Sequence, residues 1–346
     1  MFGGARRLLS LALLGCLAAC GGDAPPPVVH STMPPVVFTP RRVESVTSLP
    51  GWANEGKSMV VAAFATGCDR LEQSFAAACK AARAVFRGDE EDAQRFLEEN
   101  FNAIYLGANQ VTGYFEITVA GSVRQDSRFR VPVLRAPRAP DQFSRTEILR
   151  GALAGQGLEI LYLESEADLY FLQLQGSGRV ALMDGRLVRL GTIANNRRRR
   201  TPVNEIFSDA GIPGNDLSIP GMRAWAAQHP AETNLRLARD QAYVFFRITP
   251  ELSPDYGPYG AFGLPLLPTR SVAVDPRAVK LGSLLWLNAV NSIDHSQLPR
   301  LVLAHDIGDL IEGAGRVDMF YGWGPQAERD GGHENTQGAV WALVPK

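Results

Sequence analysis

The stretch AHDIGDLIEGAGRVDMFYGWG, residues 304–324, places Asp306 and Asp318 among Ile, Val, Met, Phe and Tyr and interrupts them with five glycines. A carboxylate is costly to bury. Two readings follow: both aspartates cap turns, or one lies in a semi-apolar groove that keeps it protonated. The surrounding segments SVAVD, SLLWLN, RLVLAHD and GAVWALV are short apolar runs rich in β-branched residues, bounded by turn formers, and read as strands. The stretch therefore belongs to a β-rich C-terminal part of the chain.

Upstream the periodicity differs. From Trp52 to Phe101, Met59, Ala63 and Phe64, then Leu71, Phe75 and Ala78, then Phe96 and Leu97 recur at three- and four-residue steps, a helical pattern. At Thr112 the period changes, and TGYFEITVAG and FRVPVL read as strands. A short helix follows, announced by the capping box Ser144-x-x-Glu147. YFLQLQGSGRVALMDGRLVRLG reads as a hairpin turning at Asp184-Gly185, with Gln173 and Gln175 on one polar surface. Three short helices fit between Pro202 and Arg239, and AYVFFRI returns to strand. Helices, strands, a mixed middle and strands again imply that the two ends of the chain share one domain and the middle is inserted into it.

The N-terminus carries Arg6-Arg7 before the apolar run LLSLALLGCLAAC, with no acidic residue before Asp23, which reads as an export signal. The run is too short to span a membrane. Its ending, Leu17-Ala18-Ala19-Cys20, resembles a bacterial lipoprotein box. Residues 1–19 would then be removed and Cys20 acylated, and Gly21 favours sorting to the outer membrane. The proline-rich segment 20–44 reads as a semi-rigid tether. Losing Arg6 and Arg7 takes the formal net charge from −1 to −3, and nothing in that balance points to a nucleic-acid partner. In an exported chain Cys68 and Cys79 are candidates for a disulfide. On one helix their eleven-residue spacing would hold them roughly 16 Å apart, so pairing requires a turn near Gly67-Cys68-Asp69 between two antiparallel helices. His and Cys do not cluster at metal-ligand spacing, so no metal or cofactor is expected. The run Arg197–Arg200 reads either as a solvated loop or as a basic patch for carboxylates or anionic headgroups.

Five stretches in order resemble one family, the membrane-bound lytic murein transglycosylases of type A. They are TGYF at 112–115, LQGSGRVALMDG at 174–185, AYVFFR at 242–247, GAFGLPLLPTRSVAVDP at 260–276, and the opening stretch with its tail QGAVWALVP. The last part is also similar to the domain named for three aspartates, here Asp275, Asp306 and Asp318. The resemblance implies a mainly β enzyme with peripheral helices. Its catalytic domain would be a double-psi β-barrel built from residues 45–116 and 246–346, with a smaller β-barrel-like domain, 117–245, inserted. The glycan strand of peptidoglycan would lie between them at the periplasmic face of the outer membrane. The same resemblance makes Asp318 the catalytic acid, with Asp306 beside it and Thr112, Tyr114 and Gln175 near the sugars.

The chemistry implied is cleavage of the β-1,4 bond between N-acetylmuramic acid and N-acetylglucosamine, leaving a 1,6-anhydromuramic acid end. Ordinary glycoside hydrolysis takes two carboxylates and a water. Here the nucleophile is the substrate's own hydroxymethyl oxygen, so one carboxylate suffices as acid and then base. Asp318 must hold a proton near neutral pH, and Val317, Met319, Phe320 and a nearby Asp306 are the candidates for raising its pKa. Asp275, followed by Pro276, reads as structural. Phe115, Ile117, Ile307, Asp309 and Glu312 depart from the family's usual residues, and Glu312 adds negative charge near the groove. Two alternatives stay open: a catalytically impaired peptidoglycan-binding lipoprotein, and a hydrolase using Asp306 and Asp318 as an ordinary pair.

Overall fold

The helical run that begins at Trp52 continues to Asn100, and the next residue opens a strand. The computed structural model describes residues 42–249, 256–290, 297–308 and 310–346. Cys20, the signal segment, nearly all of the tether and Asp309 lie outside the described residues. Strand β1 is Val43–Ser45. Helices α1 (Ser58–Gly67), α2 (Ala76–Ala84) and α3 (Glu90–Asn100) follow. Helix α3 is started by Asp89, whose side chain accepts from the amides of Glu91 and Asp92, with three acids in its first turn. Phe64 meets Phe75, Phe96 and Phe101 at ring-centroid distances of 5.9–6.4 Å, which ties the three helices to the strand behind them.

That strand, β2, is Phe101–Ser122. It starts eleven residues before the change of period at Thr112, because Ala103, Ile104, Tyr105 and Leu106 are apolar in succession and hide the alternation, although only Ala103 of the four is buried. The next elements are β3 (Val131–Leu134), α4 (Arg145–Leu149), β4 (Glu159–Leu163) and α5 (Glu166–Gln175). The Ser144–Glu147 capping box is formed at α4. The segment YFLQLQ is the end of α5, not the first arm of a hairpin. Ser165 caps it by accepting from the Asp168 amide, and Leu169, Tyr170, Phe171 and Leu172 are all buried in succession, which removes the alternation a strand would need. The hairpin itself comprises β5 (Ser177–Leu182) and β6 (Leu187–Asn195) and turns at Asp184-Gly185.

Helices α6 (Val203–Phe207), α7 (Ile219–Gln228) and α8 (Pro230–Leu237) occupy the segment expected to be helical and lead into β7 (Val244–Ile248). The C-terminal part contains β8 (Ser271–Val274), β9 (Leu284–Val290), β10 (Gln297–Ile307), β11 (Val317–Trp323), α9 (Gly324–His333) and β12 (Asn335–Pro345). Among the described residues the strands run in the hydrogen-bonded order β11-β8-β10-β9-β12-β2-β5-β6-β7. Strand β11 also pairs with β2 in parallel, so the path β11-β8-β10-β9-β12-β2 returns to its first strand.

Strand β2 is long enough to serve two sheets. Its first two-thirds pair with β12, β1 and β11, and its last third pairs with β4 and β5. The apolar clusters divide in the same way. Val111, Val272, Val274, Leu285, Leu287, Val302, Val317 and Met319 pack together, while Ile117, Val119, Val180, Leu190, Phe171, Phe207 and Trp225 form a separate cluster.

Cys68 and Cys79 are joined by a disulfide, Cα atoms 5.6 Å apart, across the turn between α1 and α2. Closing this eleven-residue loop restricts the unfolded chain, a contribution of about 2–3 kcal/mol. Reduction, or Cys79→Ser, is expected to lower the denaturant midpoint; identical midpoints for oxidised and reduced protein would contradict this.

Candidate active site

Four strands place four residues on one rung. Asp306 of β10 pairs with Ala273 of β8, Ala273 with Asp318 of β11, and Asp318 with Thr112 of β2. Residues paired across strands share a face, and two strand spacings put the aspartate backbones roughly 10 Å apart. Asp306 reaches this face only through an irregularity. The register of β10 against β8 shifts between Ala304 and Asp306, so His305 is the extra residue. In an unbroken register Asp306 would pair with Val274 and follow Ala304 into the apolar cluster. His305 is buried, its Nδ1 lies 3.0 Å from the Ser271 hydroxyl, and its ring stacks on Phe262 at 5.6 Å. Burial lowers its pKa to about 4, so it is neutral at physiological pH.

Thr112 donates its hydroxyl hydrogen to Asp318 Oδ1 at 2.6 Å. The same hydroxyl oxygen accepts from Arg316 Nη2 at 2.8 Å, and Arg316 Nη1 also reaches the Gln110 carbonyl. Among the described residues Asp318 Oδ2 has no hydrogen-bond partner. Tyr114, two residues along β2, donates its hydroxyl to Asp306 Oδ2 at 2.9 Å, and the Ala261 amide donates to Oδ1 at 3.0 Å. Asp306 is thus held at both oxygens and Asp318 at one. Between Thr112 and Tyr114, a Cβ on Gly113 would meet the Gly331 backbone of α9 at 2.7–2.8 Å, so only glycine lets these elements approach. Gly322, at φ 100°, lies in the register break of β11 against β2.

Asp318 has a pKa raised to about 6. Burial is the main cause and the Asp306 charge adds to it, while the Thr112 hydrogen bond and the Arg316 charge pull the other way. Its sequence neighbours Val317 and Met319 do not line its pocket. They alternate to the opposite face and join the apolar cluster, whereas Phe320 shares the Asp318 face and packs on Tyr114 at 5.3 Å. Asp306 is also raised, by burial, against the opposing hydrogen bonds from Ala261 and Tyr114. Burial and the two carboxylates hold the Tyr114 phenol well above its ordinary value, so it is a donor.

Two further carboxylates near this rung, Glu116 and Asp275, are occupied. Glu116 is fully buried between Arg179 and Arg189, at 2.7 and 3.0 Å. Arg179 also lies over the Trp323 ring at 4.2 Å, so one face of that indole is covered. Asp275 accepts from Arg277 and from the Gly313 amide, which hold it well below the usual carboxylate range and tie down the loop before β11.

Gln175 Oε1 accepts from the Phe115 amide at 3.1 Å, bracing β2 beside Tyr114. Gln173 does not share its surface: it is buried and donates to the Val244 carbonyl. The residue sequence reasoning missed is Arg316. Its place two residues before Asp318, just ahead of β11, was the available signal. Among the described residues no group of acidic, His or Cys side chains could hold a metal ion, and no helix is long and apolar enough to cross a membrane.

Comparison with known families places this geometry. Residues 110–247 match the MltA specific insert domain and residues 270–344 match the 3D domain. The chain belongs to the MltA family of lytic murein transglycosylases, which carry a 3D domain. It is 27% identical over 98% of its length to a membrane-bound lytic murein transglycosylase A of Vibrio cholerae, covering 94% of that protein. It superposes on the crystal structure of MltA from Neisseria gonorrhoeae in its monoclinic form with a TM-score of 0.76 at 28% identity, covering 88% and 92% of the two chains. The lytic transglycosylase LtgG of Burkholderia pseudomallei gives 0.62 at 30% identity, over 90% and 96%.

An aspartate whose pKa is higher folded than unfolded binds its proton more readily in the folded state, so stability falls as pH rises from about 4 through 6. Asp318→Asn removes the cost of the ionised form, about 3 kcal/mol for a shift of this size. The variant is expected to melt higher than the wild type at pH 8 and equally at pH 4 by scanning calorimetry; an equal melting temperature at pH 8 would count against the shift.

Proposed function

We propose that this protein is a peptidoglycan lytic transglycosylase in which Asp318 alone is the general acid and then the base. The carrying observation is the asymmetry of the two rung aspartates: Asp318 has one free oxygen and a raised pKa, while both oxygens of Asp306 are engaged. Thr112 fixes Oδ1, which leaves Oδ2 to hold the proton. Asp318 gives that proton to the glycosidic oxygen, and the C1–O bond to N-acetylglucosamine breaks. The resulting carboxylate accepts the proton of the muramic acid 6-hydroxyl as its oxygen closes on C1. The product is the 1,6-anhydro ring and no water is consumed. An intramolecular attack of this kind gains an effective molarity on the order of 10⁵ M or more when well oriented.

A hydrolytic pair would need a second carboxylate free to activate water. Asp306 is fixed on Tyr114 and Ala261, and Glu116 lies between two arginines. Asp306 acts as an anchor whose charge raises Asp318. The closed strand path is read as the double-psi barrel of residues 45–116 and 246–346, with 117–245 inserted, a division supported by the separate apolar clusters. Cys20 is read as the lipid attachment, which would hold the enzyme at the outer membrane.

Asp318→Asn should abolish release of 1,6-anhydromuropeptides from sacculi while binding to sacculi persists. Asp306→Asn should retain activity and move the alkaline limb of the pH–rate profile to lower pH, because the charge that raises Asp318 is gone. Product analysis by mass spectrometry decides: wild-type turnover by the Asp318 variant, or reducing ends in place of anhydro ends, would defeat the assignment.

A further inference from the structure

Beside the catalytic rung lies a cavity of about 630 Å³. One wall is the loop after β6, with Arg197, Arg198, Arg199 and Arg200; the other carries Asn109 of β2 with Leu310, Glu312 and Arg316. The arginine loop is pinned at both ends. Asn196 is buried, donates to the Phe143 and Gln241 carbonyls, and accepts from the Tyr243 amide. Arg200 is buried and pairs with Asp240 at 3.2 Å, so it is a structural anchor rather than part of a solvated run. Arg197, held at φ 54° with its amide on Asn195 Oδ1, and Arg198 and Arg199 remain exposed. Among the described residues none of these three has an acidic partner within ion-pair distance.

Three cations on one concave wall, with Glu147 acting on Arg198 only at longer range and Glu312 across the cavity, leave an excess of positive charge that repels itself and attracts anions. We propose that this cavity is a subsite for the acidic stem peptide carried by the glycan strand, with Arg197, Arg198 and Arg199 receiving its carboxylates. The proposal rests on the transglycosylase reading above. Continuity with the reacting centre supports a peptide on the substrate: Arg316 lines the cavity and also hydrogen-bonds Thr112, which holds Asp318. Guanidinium forks match carboxylate geometry. Glu312, exposed on the opposite wall, suits a peptide that also carries a free ammonium group. A membrane surface would instead need the arginines on a convex face.

The test is the triple variant R197Q/R198Q/R199Q, whose substitutions are exposed and leave both anchors in place. A synthetic acidic stem tetrapeptide should bind the wild type, and the variant at least tenfold more weakly. Its kcat/KM should fall at least tenfold on peptide-bearing glycan strands and change less than twofold on strands stripped of peptides by an amidase. Equal loss on both glycans, unchanged tetrapeptide affinity, or a loss confined to binding of phosphatidylglycerol vesicles would overturn the proposal. If the wild type cleaves neither glycan yet the variant loses the tetrapeptide, the transglycosylase reading fails and the peptide subsite stands.

Discussion

The site depends on the extra residue in β10. His305 breaks the alternation, and the break turns Asp306 from the apolar cluster to the face of Ala273, Asp318 and Thr112. The bulge is held by burial of the imidazole, its contact with Ser271 and its stacking on Phe262. From that rung the rest follows. Tyr114 has a carboxylate to donate to, the Ala261 loop has an anchor, and Asp318 has a charge nearby that favours its protonated form.

Four carboxylates near the rung show how environment divides one chemistry into several roles. Asp275 is stabilised as an anion by Arg277 and Gly313 and fixes a loop. Glu116 is enclosed by two guanidiniums and joins β2 to the β5–β6 hairpin. Asp306 is saturated by a phenol and an amide. Asp318 alone combines burial with a free oxygen, which is the condition for a group that must both give and take a proton.

Much of this was legible in the sequence. The helical period of residues 52–100, the Ser144 cap, the Asp184-Gly185 turn and the C-terminal strands all follow from local pattern, and the motifs around Asp318 pointed to the family. Both failures come from apolar runs that show no period. In the first half of β2, Ala103, Ile104, Tyr105 and Leu106 are apolar in succession although only Ala103 is buried, and α5 is buried through four consecutive residues. Of the expected sources of the Asp318 shift, the Asp306 charge contributes and two others do not, for a different reason. Val317 and Met319 are adjacent in sequence but lie on the other face, while Phe320 shares its side and Thr112 and Tyr114 reach it or its neighbours from β2. A register shift of one residue at His305 leaves no local signature that composition reveals.

Acid catalysis by Asp318 requires that burial keep its pKa near 6, so that about a tenth of the molecules still carry the proton at pH 7. A carbon-13 carboxyl titration of the free protein, with the Asp318 resonance assigned through Asp318→Asn, measures this directly. The expected midpoint is near 6. A midpoint at or below the ordinary aspartate value of about 3.9 would contradict it, because only about one molecule in a thousand would then hold the proton at pH 7.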